Sequence, residues 1–160
     1  MKIGILSDSH DNMNAIKRSV EFFNSENVAH VLHAGDIISP FTMNEFSKLK
    51  MPLWAVFGNN DGEKHFLREK IKGFGEIVEQ YFEKEWEGKK IIVMHEPWSV
   101  DELKASGDHD VIIYGHTHKV DIQKGKPLIF NPGEAGGWIT GKSTVGILTL
   151  PSLEVRVVEL

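Results

Sequence analysis

Five short apolar runs in this chain each stop at residues able to bind a metal, and that repetition limits the fold more than any other feature. Ile3-Gly4-Ile5-Leu6-Ser7 leads into Asp8-Ser9-His10. Val28-Ala29-His30-Val31-Leu32 leads, through His33-Ala34, into Gly35-Asp36. Leu53-Trp54-Ala55-Val56-Phe57 leads into Gly58-Asn59-Asn60-Asp61, and Ile91-Ile92-Val93-Met94 into His95. Val111-Ile112-Ile113-Tyr114 leads into Gly115-His116-Thr117-His118. Such runs, bounded by Gly, Asp and Asn, read as buried strands. In sheets flanked by helices, ligands bind beyond the carboxyl ends of the strands. Turn chemistry explains one Asp or Asn in such a place. It does not explain a series of oxygen and nitrogen donors, and the fold must bring these strand ends together.

Between the first three runs the spacing predicts helices. Asp11-Asn12 offers an N-cap, and Met13, Ile16, Val20 and Phe23 then recur at helical spacing. Ser39-Pro40 opens a second helix, Phe41 to Lys50, stopped ahead of Pro52. A short third helix runs through Phe66, Leu67 and Ile71, with Asp61 either its N-cap or a support for the ligands. This βαβαβα pattern argues for parallel strands with right-handed crossovers. From about residue 77 the pattern changes. Ile77 to Trp86 and Lys89 to Met94 read as a hairpin. Ser99-Val100-Asp101-Glu102 is a capping box for a helix ending near Gly107. Residues 120–124 with 127–130, and 144–150 with 153–158, form two more hairpins, which makes the back half mostly antiparallel. No linker or repeat divides the chain, so residues 1–160 are expected to form one domain.

Composition restricts the chemistry. The chain has no cysteine, so any metal is held by oxygen and nitrogen, without thiolate or disulfide. A net charge of −5 disfavours broad binding to nucleic acid or acidic membranes, and no stable nucleic-acid complex is expected. No stretch is apolar over a membrane-spanning length, and the expected location is the cytoplasm.

Asp8, His10, Asp36, Asn59, His95, His116 and His118 make seven donors. One catalytic ion usually keeps about three protein ligands. Seven suit two ions sharing a carboxylate, a pair that can hold a bridging hydroxide and clamp a phosphoryl group. Two divalent ions, two aspartates and a hydroxide leave about one positive charge, matched to one phosphodiester anion.

The motifs Asp-x-His, Gly-Asp, Gly-Asn-x-Asp, a strand-terminal His and Gly-His-x-His, in this order, resemble the calcineurin-like metallophosphoesterase superfamily. Together with Asn131-Pro132-Gly133 and the short length, they are similar to its small bacterial and archaeal phosphodiesterase branch. The resemblance runs from Lys2 to about Gly137. It implies a four-layer α/β/β/α sandwich with two mixed β-sheets. It also implies that Asp8, His10, Asp36 and His118 hold one metal and Asp36, Asn59, His95 and His116 the other. The implied cofactors are two divalent transition-metal ions, manganese or nickel first, then iron, cobalt or zinc. The implied activity is hydrolysis of a small phosphodiester, such as a nucleotide, by a metal-bridging hydroxide; homo-oligomers are compatible with it. Two rivals are a phosphomonoesterase or nucleotide phosphohydrolase of the same fold, and an interaction scaffold like the eukaryotic retromer subunit.

Two positions depart from the family pattern. Asn60 stands where many members have a His that contacts the phosphate or protonates the leaving group. An amide can contact phosphate but cannot serve as the acid. Glu96 stands where Gly is usual and adds a negative charge beside the pocket. Trp98 is expected to be a hydrophobic staple with Leu103, with base stacking the functional alternative. Trp138 fits a pocket rim or a subunit contact. His33 reads as a core or supporting residue, and His30, His65 and His109 as surface. Gly58 and Gly115 are expected to allow unusual backbone angles and close approach beside the ions.

Overall fold

In the computed structural model, which describes residues 1–160, the alternation of the first strand sets the layering. In β1 (Lys2–Leu6), Ile3 and Ile5 face one apolar layer, whereas Gly4 and Leu6 face another. The first sheet adds β2 (His30–His33), β3 (Leu53–Val56) and β4 (Gly75–Val78), all parallel to β1 in succession. On its other side lie β10 (Thr144–Thr149) and β11 (Glu154–Glu159), so the order is β11-β10-β1-β2-β3-β4. Helices α1 (Met13–Glu26), α2 (Met43–Phe46) and α3 (Lys64–Ile71) cover its outer face. Ile16, Val20, Phe23, Met43, Phe46, Leu67 and Ile71 are buried there against Leu6, Val31 and Ala55.

The second sheet contains β5 (Tyr81–Trp86), β6 (Lys89–Met94), β7 (Val111–Ile113), β8 (Val120–Gln123) and β9 (Leu128–Pro132), in the order β5-β6-β7-β9-β8. Its inward side chains, among them Ile91, Val93, Val111, Ile113 and Phe130, meet Ile3, Ile5 and Leu32 between the sheets. Its outward set, Ile92, Met94, Ile112 and Tyr114, is covered by Val100 and Leu103 of α4 (Val100–Ser106). Each of these fully buried aliphatic side chains contributes about 1.5–3 kcal/mol. The architecture is therefore the four-layer α/β/β/α sandwich that the motifs imply, with two mixed sheets.

Several local expectations differ from what forms. Residues 41–50 do not make one helix. A 3-10 turn (Pro40–Thr42) leads into the single turn of α2, and the Ser47 hydroxyl then bonds the Asn44 carbonyl while Lys48 and Leu49 adopt i−3 bonds. Ile77 is not in the hairpin of β6. Gly75–Val78 pairs with β3, and Gln80, with φ +54°, turns the chain into the second sheet, where the hairpin with β6 begins only at Tyr81 of β5. The back half is also less antiparallel than the hairpins suggest, because β6, β7 and β9 are parallel neighbours joined by crossovers. Ser99 precedes α4 without a side-chain capping bond, and Glu63 rather than Asp61 is the N-cap residue of α3. His109 is buried and bonds Glu83, so it is not a surface residue. No helix is long and apolar enough to cross a membrane.

Candidate metal centre

The carboxyl ends of β1, β2 and β3 from one sheet, and of β6 and β7 from the other, meet at one end of the sandwich. They bring all seven donors together. Asp8 Oδ1 lies 3.5 Å from His118 Nε2 and 3.8 Å from His10 Nε2. Asp36 Oδ2 lies 3.5 Å from His10 Nε2 and 3.4 Å from His95 Nε2, and so faces both halves of the cluster. Asn59 Oδ1 lies 2.9 Å from both His95 Nε2 and His116 Nδ1. Two donor groups result, sharing Asp36: one with Asp8, His10 and His118, the other with Asn59, His95 and His116.

Asp8 and Asp36 are almost wholly buried, at 0% and 1% exposure. Isolated carboxylates are not left so in an apolar interior without compensating charge. Asp8 Oδ1 and His10 Nε2 are buried and have no hydrogen-bond partner, although they face each other. Unpaired buried donors and acceptors converging on one point fit a bound cation. Burial opposes ionisation of Asp36, but the contact with His95 and the bonds from Asn60 outweigh it and hold the carboxyl well below the usual range.

The backbone is bent to reach this arrangement. Asp8, His10, Asp36, His116 and His118 all have left-handed φ, between +42° and +64°. Such conformations in non-glycine residues cost about 1–3 kcal/mol each and gather at functional sites. Gly58 and Gly115, in contrast, are not left-handed; they supply space. A Cβ on Gly58 would strike the Asp36 carboxylate, and one on Gly115 would strike Ser7 Oγ and come within 3.0 Å of Asp8 Oδ2.

Groups behind the donors fix these loops. Asp61 accepts N–H bonds from Gly58 (2.7 Å), Asp36 (3.1 Å), Ile37 (2.8 Å) and Ile38 (2.6 Å), tying the ends of β2 and β3 together. Burial nevertheless pushes its carboxyl above the ordinary range. His33 is fully buried, contacts Ser9 Oγ at 2.9 Å and is pushed down to about 3 by burial, so it stays neutral. Asn131 donates to Gly115 O at 2.9 Å and to Thr117 Oγ1 at 3.1 Å, holding the loop that carries His116 and His118. His95 Nδ1 is 2.8 Å from Ala34 O, which leaves Nε2 to face the centre.

Glu134 is a residue that sequence reasoning missed. It is 1% exposed, and its Oε1 lies 3.4 Å from His118 Nδ1. It accepts from the backbone of Trp138, Ile139 and Thr140 and from the Thr140 hydroxyl. Burial works against its charge, but these donors win and lower the pKa. Its position next to Asn131-Pro132-Gly133 was the available signal, but a glutamate there reads as exposed until the loop folds over it. Trp138 lies at the rim, its indole N–H donating to His10 O at 3.0 Å.

Asn60 donates its backbone N–H to Asp36 Oδ1 at 2.9 Å and its side-chain amide to Asp36 Oδ2 at 2.7 Å. Trp98 does not form a staple. It is 71% exposed, and its ring centre is 6.0 Å from that of His116. Beside it, a cleft of about 470 Å³ opens from His95 between β5, β6 and α4.

Known proteins resemble the chain along its length. The family model described as the calcineurin-like phosphoesterase superfamily domain matches residues 1–152. Phosphodiesterase MJ0936 of Methanocaldococcus jannaschii is 42% identical, with 100% of this chain and 99% of the relative covered. Phosphodiesterase YfcE of Escherichia coli is 26% identical over 83% of this chain and 78% of its own. A solved structure described as a novel archaeal phosphodiesterase superposes with a TM-score of 0.94 at 38% identity, covering both chains fully. Chaetomium thermophilum Vps29 shares the fold, with a TM-score of 0.73 at 15% identity over 100% of this chain and 97% of its own.

Proposed function

Since the chain belongs to the calcineurin-like phosphoesterase superfamily and is a hydrolase, we propose that it is a phosphodiesterase acting on small diesters with two divalent metal ions. The observation that carries this reading is the pair of donor groups sharing Asp36, with unpaired buried atoms on Asp8 and His10 turned to a common point. Asp8, His10, Asp36 and His118 would hold one ion, and Asp36, Asn59, His95 and His116 the other. Imidazole and carboxylate donors without sulfur admit manganese, nickel, iron, cobalt or zinc, and the family resemblance puts manganese or nickel first. When bound, such ions polarise a phosphoryl oxygen and make water a better nucleophile.

The protein's own groups do the rest. Asp8 and Asp36 set the charge of the site, and Glu134 adds a third carboxylate close behind it. Two divalent ions against three carboxylates and the attacking hydroxide leave about no net charge, which favours a monoanionic diester over a dianionic monoester. Glu96, on the wall next to His95, repels a dianion further. Asn60 uses one amide proton on Asp36, and the second is free to orient a phosphoryl oxygen. Because an amide cannot act as an acid, the leaving group departs unprotonated or takes its proton from water.

The test is kcat/KM for bis(p-nitrophenyl) phosphate against p-nitrophenyl phosphate, with metal content measured on the same sample. The expected outcome is two ions per chain and faster diester turnover. Faster monoester turnover, or one ion at saturation, refutes the reading.

A further inference from the structure

The cleft beside His95 has a composition of its own. Register pairs Tyr81 with Met94 and Glu83 with Ile92, which places these four side chains on the outer face of the second sheet. Leu103 and Ser99 close one side, Phe57 and His95 the end nearest the donors, and Trp98 stands over the mouth. The floor is apolar and the rim is aromatic. The charged lining groups apart from His95 are two carboxylates, Glu83 and Glu96. Glu83 is bonded to His109, and Glu96 has no charged partner. No Lys or Arg lines the cleft. Lys64 and Arg68, which lie over the Phe57 ring, are both ion-paired to Glu79.

A surface like this discriminates by charge. Aromatic faces attract a cation through the ring quadrupole, and more so once it is partly desolvated. An unpaired carboxylate beside them adds Coulomb attraction and rejects a further phosphate or carboxylate. An apolar floor accommodates methyl or methylene groups around the charge. The cleft is also continuous with the donor cluster through His95, so a diester bound at the centre could extend one arm into it, and its volume fits a small organic group.

We propose that this cleft is a substrate subsite that selects a diester arm bearing a positive charge, an alkylammonium group, held between Trp98, Tyr81 and Glu96. The identity of the occupant as an ester arm rests on the phosphodiesterase reading; the preference for a cation rests on the cleft alone. A nucleobase would use the aromatic faces and can donate an N–H to Glu96, but it brings no positive charge for the carboxylate and the ring faces to attract together. An arm with a second phosphate is excluded by both glutamates.

The experiment separates the two readings. Metal-free protein is titrated by NMR with choline, with its uncharged carbon isostere 3,3-dimethylbutan-1-ol, and with thymidine. Choline is expected to bind roughly tenfold more tightly than the isostere, the scale of a partly desolvated cation–aromatic contact. Glu96→Gln and Trp98→Leu should each reduce that preference several-fold, which places the binding in the cleft. Equal binding of the isostere, or a preference unchanged in both variants, overturns the proposal. Tighter binding of thymidine than of choline overturns it too, and assigns the cleft to a base. Metal-loaded protein is then given p-nitrophenyl phosphocholine and its dimethylbutyl analogue, and kcat/KM is expected to show the same ordering. Choline selectivity in binding with no hydrolysis of any diester would refute the phosphodiesterase reading and leave the cation subsite standing. Hydrolysis of both diesters at one rate would refute the subsite alone.

Discussion

Asp61→Asn isolates the group that joins the ends of β2 and β3. The substitution is nearly isosteric, so it opens no cavity. In the wild type, Oδ1 accepts from Ile37 and Ile38, and Oδ2 from Gly58 and Asp36. An amide has one oxygen, so in either orientation two of these N–H groups face an NH2 instead. Hydrogen bonds to a charged acceptor contribute about 1.5–3 kcal/mol each, so losing two costs about 3–6 kcal/mol. Removing a buried charge, whose burial pushes the Asp61 carboxyl upward, returns part of that. A net loss of about 3 kcal/mol remains, which for a chain of this size is a fall in Tm of about 6–12 °C. The assay is thermal and urea unfolding of metal-free wild type and variant at pH 7, followed by metal titration of each. Metal affinity should fall as well, because Asp36 and Asn59 sit on the two loops that Asp61 joins. A variant with a Tm within about 2 °C of wild type would show that these bonds do not hold the loops, and the reasoning would fail.

Asp36→Ala should lower the occupancy of both metal sites, while Asp8→Ala should lower mainly one, as read by elemental analysis; equal loss in the two variants would remove Asp36 from its bridging position. The rate against pH, with metal content checked at each point, should rise to a plateau without a falling limb, since residue 60 is not an acid. Asn60→His should restore a falling limb and help alkyl leaving groups more than nitrophenolate. His33 makes stability depend on pH with a definite sign. Its folded pKa is depressed to about 3 from 6.5, so between these values the unfolded chain binds a proton that the native one does not. Stability is therefore fully present above pH 6.5 and is lost as pH falls towards 3. The urea midpoint of wild type should drop more steeply between pH 7 and 4 than that of His33→Gln, and parallel curves would contradict the burial argument.

The clustering of the seven candidate donors was legible because each lies within a few residues of the end of an apolar run, and the period of a strand fixes where its carboxyl end falls. The four layers were legible through the resemblance, and the alternation in β1, β6 and β7 bears them out. What the sequence did not reveal depends on partners distant in the chain. Nothing marks Glu79-Gln80 as a passage between sheets, because Ile77 fits either apolar layer. Asp61 has the spacing of an N-cap, and only the folded loops present four N–H groups to it. Glu134 becomes an interior carboxylate only once residues 138–140 wrap it. Trp98 and Leu103 have the spacing of a staple, but Leu103 packs on the second sheet and leaves the indole outside. The expected strain at Gly58 and Gly115 falls instead on the donor residues themselves.

The donors come from both sheets, and this has a mechanical consequence. Asp8, His10, Asp36 and Asn59 belong to the ends of the first sheet, and His95, His116 and His118 to the ends of the second. Each proposed ion would therefore be a rivet through two plates, since neither plate carries a full set of donors. At the opposite end the plates meet through apolar packing, the stacked His30 and Trp86 rings and Lys84 over the Trp54 ring, with no donor cluster to bind an ion. Loading the centre adds about RT ln(1 + [metal]/Kd) to their cohesion at one edge alone. A metal-loaded molecule should then open like a book bound along that edge, with amide exchange fastest at the far ends of β1, β6 and β7. Stripping the metal should free the bound edge and bring the two ends closer to parity.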